Sequence, residues 1–309
     1  MHTLPQQLAN GLFIGSMYGL IAIGYTMVYG IVQLINFAHG EIFMTGAFGA
    51  LTVWTNLPHG TSIWLALPLM LIGGAIVSVL IAIGAERFAY RPLRTAPRLA
   101  PLITAIGLSL ALQQAIFIWY PGADNAKNFP QLGTHAYHVG SVDIQRGDIF
   151  LVVAAAICMV GLAAFVRTSR TGRAMQATAQ DPDTAQLMGI DTNRIIVIAF
   201  AIGGFFAAVA GLASGLKYGQ VQYNMGFQAG LKAFTAAVLG GIGNIYGAML
   251  GGLVLGVAES CASAYISNIP GMQQLGGSGW ANVWAFVLLI VVLLVRPQGL
   301  LGERVADRA

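Results

Sequence analysis

The chain has 309 residues, of which 57% are hydrophobic and only 8% charged, and its mean hydropathy is +0.73. Soluble domains carry about a quarter charged residues, so this composition excludes a single water-soluble core and makes a polytopic membrane protein the expectation. The net charge of +4 sits on arginines in short polar joins, the signature of loops kept on the positive-inside face of a membrane, not of a nucleic-acid-binding surface.

The amino-terminal MHTLPQQLAN lacks a basic region, and the apolar run after it has no convincing cleavage site, so it reads as leading into a retained first helix. Apolar runs then cover residues 8–29, 35–54, 63–85, 99–120, 148–166, 195–216, 229–265 and 281–295. About 20 residues cross the hydrocarbon core, so most of these runs can span a bilayer. The 229–265 run is too long for one straight helix. It carries Gly240-Gly241-Ile242-Gly243-Asn244, which predicts a short helix, a glycine-rich break and a longer helix. The expected fold is an all-α integral membrane protein: one transmembrane domain over 1–309, with eight or nine crossings and the side of the N-terminus open.

Eleven of the twelve arginines fall in residues 86–98, 167–194 or 296–308. Two runs separate the first two of these segments, so both can lie in the cytoplasm, which puts the polar loop 121–147 outside. Glycines recur at helical spacing inside the runs: Gly11, Gly15 and Gly19; Gly203, Gly204 and Gly211; Gly247, Gly251, Gly252 and Gly256. Small residues so spaced let helix backbones approach closely and predict a tight bundle. There is also a faint internal echo. YGIVQ at 29–33 resembles YGQVQ at 218–222, and each is followed by a Phe and then a Gly (Phe37, Gly40; Phe227, Gly230). The choice between a repeated architecture and coincidence stays open on sequence.

Charged groups inside the apolar runs are candidates for a pathway or gate, because insertion of a charge at a helix centre costs roughly 2.5–3.5 kcal/mol. Asn36, His39, Glu41 and Lys232 are the residues so singled out, with Glu259 as a further intramembrane acid. INFAHGE (35–41) reads equally well as an interfacial loop or cap, and Glu259 as a helix-end residue. Gln113 and Gln114 predict an interhelical hydrogen-bond pair. Cys158 and Cys261 lie in apolar runs and read as small lipid- or core-facing residues, not as a disulfide or metal site. The chain has no G-x-S-x-G, no His-x-x-x-His, no Cys-x-x-Cys and no P-loop. Neither a catalytic set nor a cofactor or metal site is expected, and ATP-driven work would need another subunit.

The polar stretch 167–194 has helix punctuation. Asp181 can cap a helix starting at Pro182, Asp183 suits its first turn and Gly189 its end. This predicts a two-turn helix over 182–188 between two membrane helices, with Ala185, Leu187 and Met188 making a small, apolar tip that could plug into a groove on a cytoplasmic partner. Its competing reading is a solvated loop that only orients the chain.

Taken together, IAIGYTMVYGI (21–31), INFAHGE (35–41), ERFAYRPLR (86–94), RTSRTGRAMQATAQDP…MGI (167–190), KAFTAAVLGGIGNIYGAMLGG (232–252) and LLVRPQGLLG (293–302) resemble the LivH-type permeases of branched-chain amino acid ABC importers. The resemblance runs through nearly the whole chain and is weakest in the 121–147 loop. It implies a permease in the inner membrane carrying Leu, Ile and Val by alternating access, partnered by a LivM-type permease, two cytoplasmic ATP-binding subunits and a periplasmic substrate-binding protein. Relatives for urea, short amides or other amino acids look alike. An ion-coupled secondary transporter is the rival class. Importer permeases insert a coupling helix into the ATPase, often marked EAA…G. Here Asp183-Thr184-Ala185 followed by Gly189 takes that spacing, with Asp for Glu and Thr for the first Ala. The resemblance carries the coupling role to Asp183, Ala185 and Gly189, and more loosely to Arg173 and Leu187.

Overall fold

The computed structural model describes residues 4–302 apart from 35, 59, 95, 98, 133–135, 267–272, 276, 277 and 297. Ile35 of INFAHGE, Arg98, Arg304, Arg308 and most of the 267–279 loop thus lie outside the described residues. The helices are α1 (Leu4–Val32), α2 (His39–Asn56), α3 (Ile63–Gly84), α4 (Leu99–Trp119), α5 (Arg146–Thr168), α6 (Arg170–Gln180), α7 (Pro182–Leu187), α8 (Thr192–Tyr218), α9 (Met225–Gly240), α10 (Ile245–Tyr265) and α11 (Ala281–Val295). A π-helical turn, Ala85–Tyr90, extends α3. Among the described residues, six helices are long and apolar enough to cross a membrane: α1, α3 with its extension, α4, α5, α8 and α10. The chain is therefore a multi-pass helical membrane protein. Two short ladders, absent from the sequence expectation, sit at one end. β1 (Lys127–Asn128) pairs antiparallel with β4 (Gln220–Val221), and β2 (Ala136–Val139) with β3 (Val142–Gln145).

Helix directions follow from the glycine contacts. On α1, Gly11 faces Val257, Gly15 faces Gly252 and Gly19 faces Met249, so α1 and α10 are antiparallel. A Cβ on Gly15 would stand 2.7 Å from the Gly252 carbonyl oxygen. No side chain fits there, which is why the predicted glycine stripe forms a seam. Gly24 of α1 lies against Gly203 of α8, while the Lys217 ammonium of α8 sits 4.9 Å from the Phe13 ring centroid. Those two helices are antiparallel as well. Gln6 exchanges hydrogen bonds with the Asp143 backbone (2.7 and 3.2 Å). The start of α1 thus shares the end of the molecule that carries the β2–β3 hairpin, and the arginine segments gather at the other end.

The segments after α1 and α8 do not simply turn round. His39, the first residue of α2, packs against Gly24 and Gly203. Gly24 is eight residues short of the end of α1, so α2 begins about 12 Å inside the bundle at 1.5 Å per residue. In the same way α9 begins at the depth of Gly40 and Glu41, which its Gly226 touches. From this junction α2 runs to the hairpin end, beside α8, and α9 runs to the arginine end, beside α1. The echo between 29–33 and 218–222 marks an inverted repeat. The partner glycines Gly40 and Gly230 meet each other, with each Cβ position within 3.0 Å of the other's Cα. A pseudo-two-fold axis therefore passes between them. The α1–α10 and α2–α3 packings are matched by α8–α3 and α9–α10, as an inverted repeat requires.

The glycine-rich break in the 229–265 run is present, but it reverses the chain. Gly241 (φ +101°) and Gly243 (φ +100°) make a tight turn, and α10 folds back on α9 with Gly247 against Gly240 and Gly251 against Ala236. The positive φ angles need glycine. The Leu300 and Leu301 amides donate to the carbonyls of Leu239 and Gly240 (2.8 and 2.9 Å), and Asn244 Nδ2 donates to the Leu301 carbonyl (3.1 Å). The residues after α11 thereby strap this turn and satisfy carbonyls at the end of α9 that the helix leaves unpaired.

Candidate functional site

Three features collect the polar residues. The first is the junction where α2 and α9 begin. Asn36, His39 and Glu41 are all buried there, Glu41 completely. The interfacial-loop reading of INFAHGE is therefore corrected: the re-entrant segment carries these groups to the middle of the bundle. Asn36 Oδ1 accepts from the Tyr90 hydroxyl (2.7 Å), which ties the segment to the extension of α3. The His39 ring stands edge-on to Tyr25 at 4.8 Å. Glu41 Oε1 accepts from Ser109 of α4 (3.2 Å), and Oε2 abuts Gly226 in the first turn of α9. Its carboxylate thus lies between the N-termini of two helices, whose partial positive charge favours an anion. His39 Nε2, Glu41 Oε2 and the Tyr25 hydroxyl lack a hydrogen-bond partner among the described residues, so the junction retains polar capacity that packing has not used.

The second feature is a cleft of about 290 Å³, lined by Tyr18, Gln220, Gln222, Asn224, Gln228 and Lys232 among others. Lys232 Nζ bonds Glu259 Oε1 (2.6 Å) and the Tyr18 hydroxyl (3.0 Å), with both charged side chains largely buried. Glu259 is thus not a frayed helix-end acid but half of an ion pair linking α9 to α10. The cleft offers amide donors and acceptors beside the apolar Met17 and Phe43, a mixture suited to a small amphiphilic solute. Lys232 does not join Asn36, His39 and Glu41 in one cluster; it lines this separate cleft.

The third feature is the loop at the arginine end. The helix expected over 182–188 is α7, one residue shorter, with Met188 as its C-cap. Asp181 accepts from the amides of Asp183 (3.0 Å) and Thr184 (3.1 Å) and from the Thr184 hydroxyl (2.5 Å). These bonds, the Thr184 hydroxyl foremost, hold the Asp181 carboxyl below the usual carboxylate range. At the other end the Ile190 amide donates to Ala185 O (3.0 Å) and the Gly189 amide to Gln186 O (2.9 Å), with Gly189 at φ +82°. This is a Schellman stop, and glycine meets its left-handed requirement. Leu187 and Met188 are left 87% and 78% exposed. Asp183 and Gly189 are exposed as well, whereas Ala185 is buried and holds the stub to the loop instead of facing outward. Arg173 lies on α6, exposed, and donates to the Thr168 carbonyl (3.0 Å).

The sequence reading missed α6 and the roles of Tyr25, Tyr90 and Ser109. Helix α6 buries Gly172, Met175 and Thr178 at three-residue spacing on an otherwise polar stretch, a signal that a search for apolar runs passes over. ERFAYRPLR contained the missing pattern. Glu86, Tyr90 and Arg94 recur every fourth residue: Arg94 pairs with buried Glu86 and donates to Asn193 of α8 (2.7 Å), while Tyr90 holds Asn36. The expected Gln113–Gln114 hydrogen-bond pair does not form. Neither makes a hydrogen bond among the described residues, and Gln114 is exposed on α4.

A tight helical bundle with re-entrant half-helices and buried polar groups at their junction defines a membrane permease. The family described as branched-chain amino acid transport system / permease component matches residues 7–295, and the chain belongs to that family. It is 45% identical to the high-affinity branched-chain amino acid transport system permease protein LivH of Salmonella typhimurium, over 96% of this chain and 95% of that protein. It is 46% identical, with the same coverage, to the BraD permease protein of the corresponding system of Pseudomonas aeruginosa. Among solved structures, PsaBC from Streptococcus pneumoniae in complex with Fab aligns with a TM-score of 0.50 at 12% identity, covering 96% of this chain and 93% of that one. That likeness concerns the fold alone.

Proposed function

We propose that this chain is the membrane-spanning permease subunit of an ATP-driven importer, one permease unit over 1–309 that carries Leu, Ile and Val across the inner membrane by alternating access. The observation that carries the coupling role is the stub α7. It is capped at both ends and bears an apolar Leu187–Met188 tip at the arginine end of a permease of this family. With that end cytoplasmic, as the arginine bias requires, the tip meets a groove on one of two ATP-binding subunits, and the β2–β3 hairpin end receives a periplasmic binding protein. Gln114 on the outward face of α4 marks the side covered by a LivM-type second permease, since a polar side chain facing lipid alone is unfavourable. Counting α2, α9 and α11 with the six long helices gives nine crossings. Asp183, Ala185 and Gly189 shape and hold the stub, Leu187 with Met188 makes the contact, and Arg173 braces α6 against α5. Asn36, His39, Glu41 and Lys232 belong to the moving interior.

The variant L187S/M188S tests this reading. The chain is expected to insert normally but to lose co-purification with the ATP-binding subunits and to lose ATP-dependent leucine uptake. Full uptake with retained ATPase binding would sink it. An ion-coupled mechanism has one observation in its favour, the buried and incompletely bonded Glu41. Uptake that persists without ATP-binding subunits and collapses with the ion gradient would select it.

A further inference from the structure

Helices α3 and α5 stand apart on either side of α8 and leave a long groove of about 910 Å³ between them. Its lining is almost wholly apolar, with Ile83 of α3, Ala154, Cys158 and Gly161 of α5, and Ile198 and Phe205 of α8 as representative members. Along α8 the lining runs from Val197 to Leu212 and along α5 from Phe150 to Phe165, a length of about 22 Å at 1.5 Å per residue. That is more than one leaflet of a hydrocarbon core of about 30 Å. The arginine-side mouth is cationic. Arg87 lies four residues beyond Ile83, and Arg194 four residues before Ile198, so each stands one helical turn outside a lining residue on its own helix. Both are exposed, and neither side chain makes an ion pair or hydrogen bond among the described residues; the Arg194 backbone amide donates to Asp191 Oδ1 (3.1 Å). The nearby Arg94, in contrast, is spent on Glu86 and Asn193.

We propose that this groove is a binding site for one anionic phospholipid, its acyl chains lying on α8 between α3 and α5 and its phosphate at Arg87 and Arg194. An apolar channel of leaflet length alone would accept any lipid. Two unpaired cations at the headgroup level, contributed by two different walls of that channel, select a negative one. Each arginine near an anionic headgroup changes binding by about fivefold, a contribution of about 1 kcal/mol. Bound there, the lipid fills the gap between α3 and α5 and joins the start of α8 to the extension of α3, next to the loop that bears α7.

The test uses the full chain co-purified with the subunits it assembles with. Native mass spectrometry would score retention of added phosphatidylglycerol against phosphatidylethanolamine, and a photoactivatable phosphatidylglycerol would report the site. The wild type is expected to retain phosphatidylglycerol selectively and to cross-link within α5 or α8. R87Q/R194Q changes two exposed residues and is expected to lose about twenty-five-fold of that preference. G161L fills the groove from a glycine whose Cβ position has nothing within 4 Å, and it is expected to lower retention of both lipids. Equal retention of the two lipids by the wild type, unchanged selectivity in R87Q/R194Q, unchanged retention in G161L, or cross-links confined to another subunit would each overturn the proposal.

Discussion

The ion pair of Lys232 and Glu259 shows how a residue that is costly in a membrane is kept. Each charge is withdrawn from water, and the pair is completed by the Tyr18 hydroxyl. Removing one partner of a buried pair typically destabilises by roughly 3–5 kcal/mol, because the survivor remains buried and uncompensated, whereas an apolar replacement of both is often close to neutral. E259Q should therefore lower the thermal midpoint of the detergent-solubilised protein markedly, and K232M/E259M should recover most of the loss. Equal midpoints for E259Q and the wild type would show that water reaches the pair and that it does not hold α9 to α10. Glu41 is buried more deeply and has no cationic partner among the described residues; its carboxylate rests on a serine hydroxyl and two helix N-termini. Sequence showed that Glu41 lies in an apolar chain but not how deep it lies. Depth depends on where α2 begins, which is fixed by contacts of His39 with Gly24 and with Gly203 far along the chain.

At the scale of elements, legibility follows how local the determinants are. Helix α7 was readable nearly to the residue because its cap, its Pro182 and its Gly189 lie within nine positions of one another and satisfy one another's backbone groups. The same locality makes it sensitive to pH. The Asp181 carboxyl is held below its ordinary range, so its bonds favour the folded stub above that range and are lost as pH falls through the lowered value. Hydrogen-exchange protection of the Asp183 and Thr184 amides, corrected for intrinsic rates, should be steady at neutral pH and fall only below the usual aspartate range of about 3.9. D181A should abolish it at every pH. Protection that fades near neutral pH, or survives in D181A, would mean that other contacts cap the stub. The reversal at 241–244 was harder to read. A glycine-rich gap is compatible with a kink, a broken helix or a hairpin, and only the fit of Gly247 and Gly251 onto α9 selects the hairpin. Sequence exposed the glycine stripes but not their partners, since a small residue declares that something comes close without declaring what.

At the scale of the molecule, the inverted repeat makes the two ends comparable. Helices α1 and α8 run in opposite directions, each returns through a re-entrant segment, and the half-helices α2 and α9 leave one central junction for opposite ends. Such an arrangement lets a cavity at the junction be exposed from either end by nearly equivalent motions of the two halves, which is the geometry that alternating access uses. It also fixes relative sidedness more tightly than an arginine count can. The hydrogen bonds of Gln6 with the Asp143 backbone place the start of α1 with the hairpin, and Arg167, 5.5 Å above the Tyr246 ring, places the start of α10 with the arginine loop. An odd number of crossings between Leu4 and Gln176 is therefore expected, with Leu4 and Asn125 on one face and Gln176 on the other. Single cysteines at these three positions, in a chain whose Cys158 and Cys261 are replaced by alanine, check this directly. In intact spheroplasts a membrane-impermeant thiol reagent should label Leu4→Cys and Asn125→Cys, and should label Gln176→Cys only after permeabilisation. Labelling of Leu4→Cys together with Gln176→Cys would give an even number of crossings and break the inverted relation between the halves. Labelling of Gln176→Cys alone in intact spheroplasts would keep the repeat but turn the molecule over, placing α7 where no ATP-binding subunit can reach it.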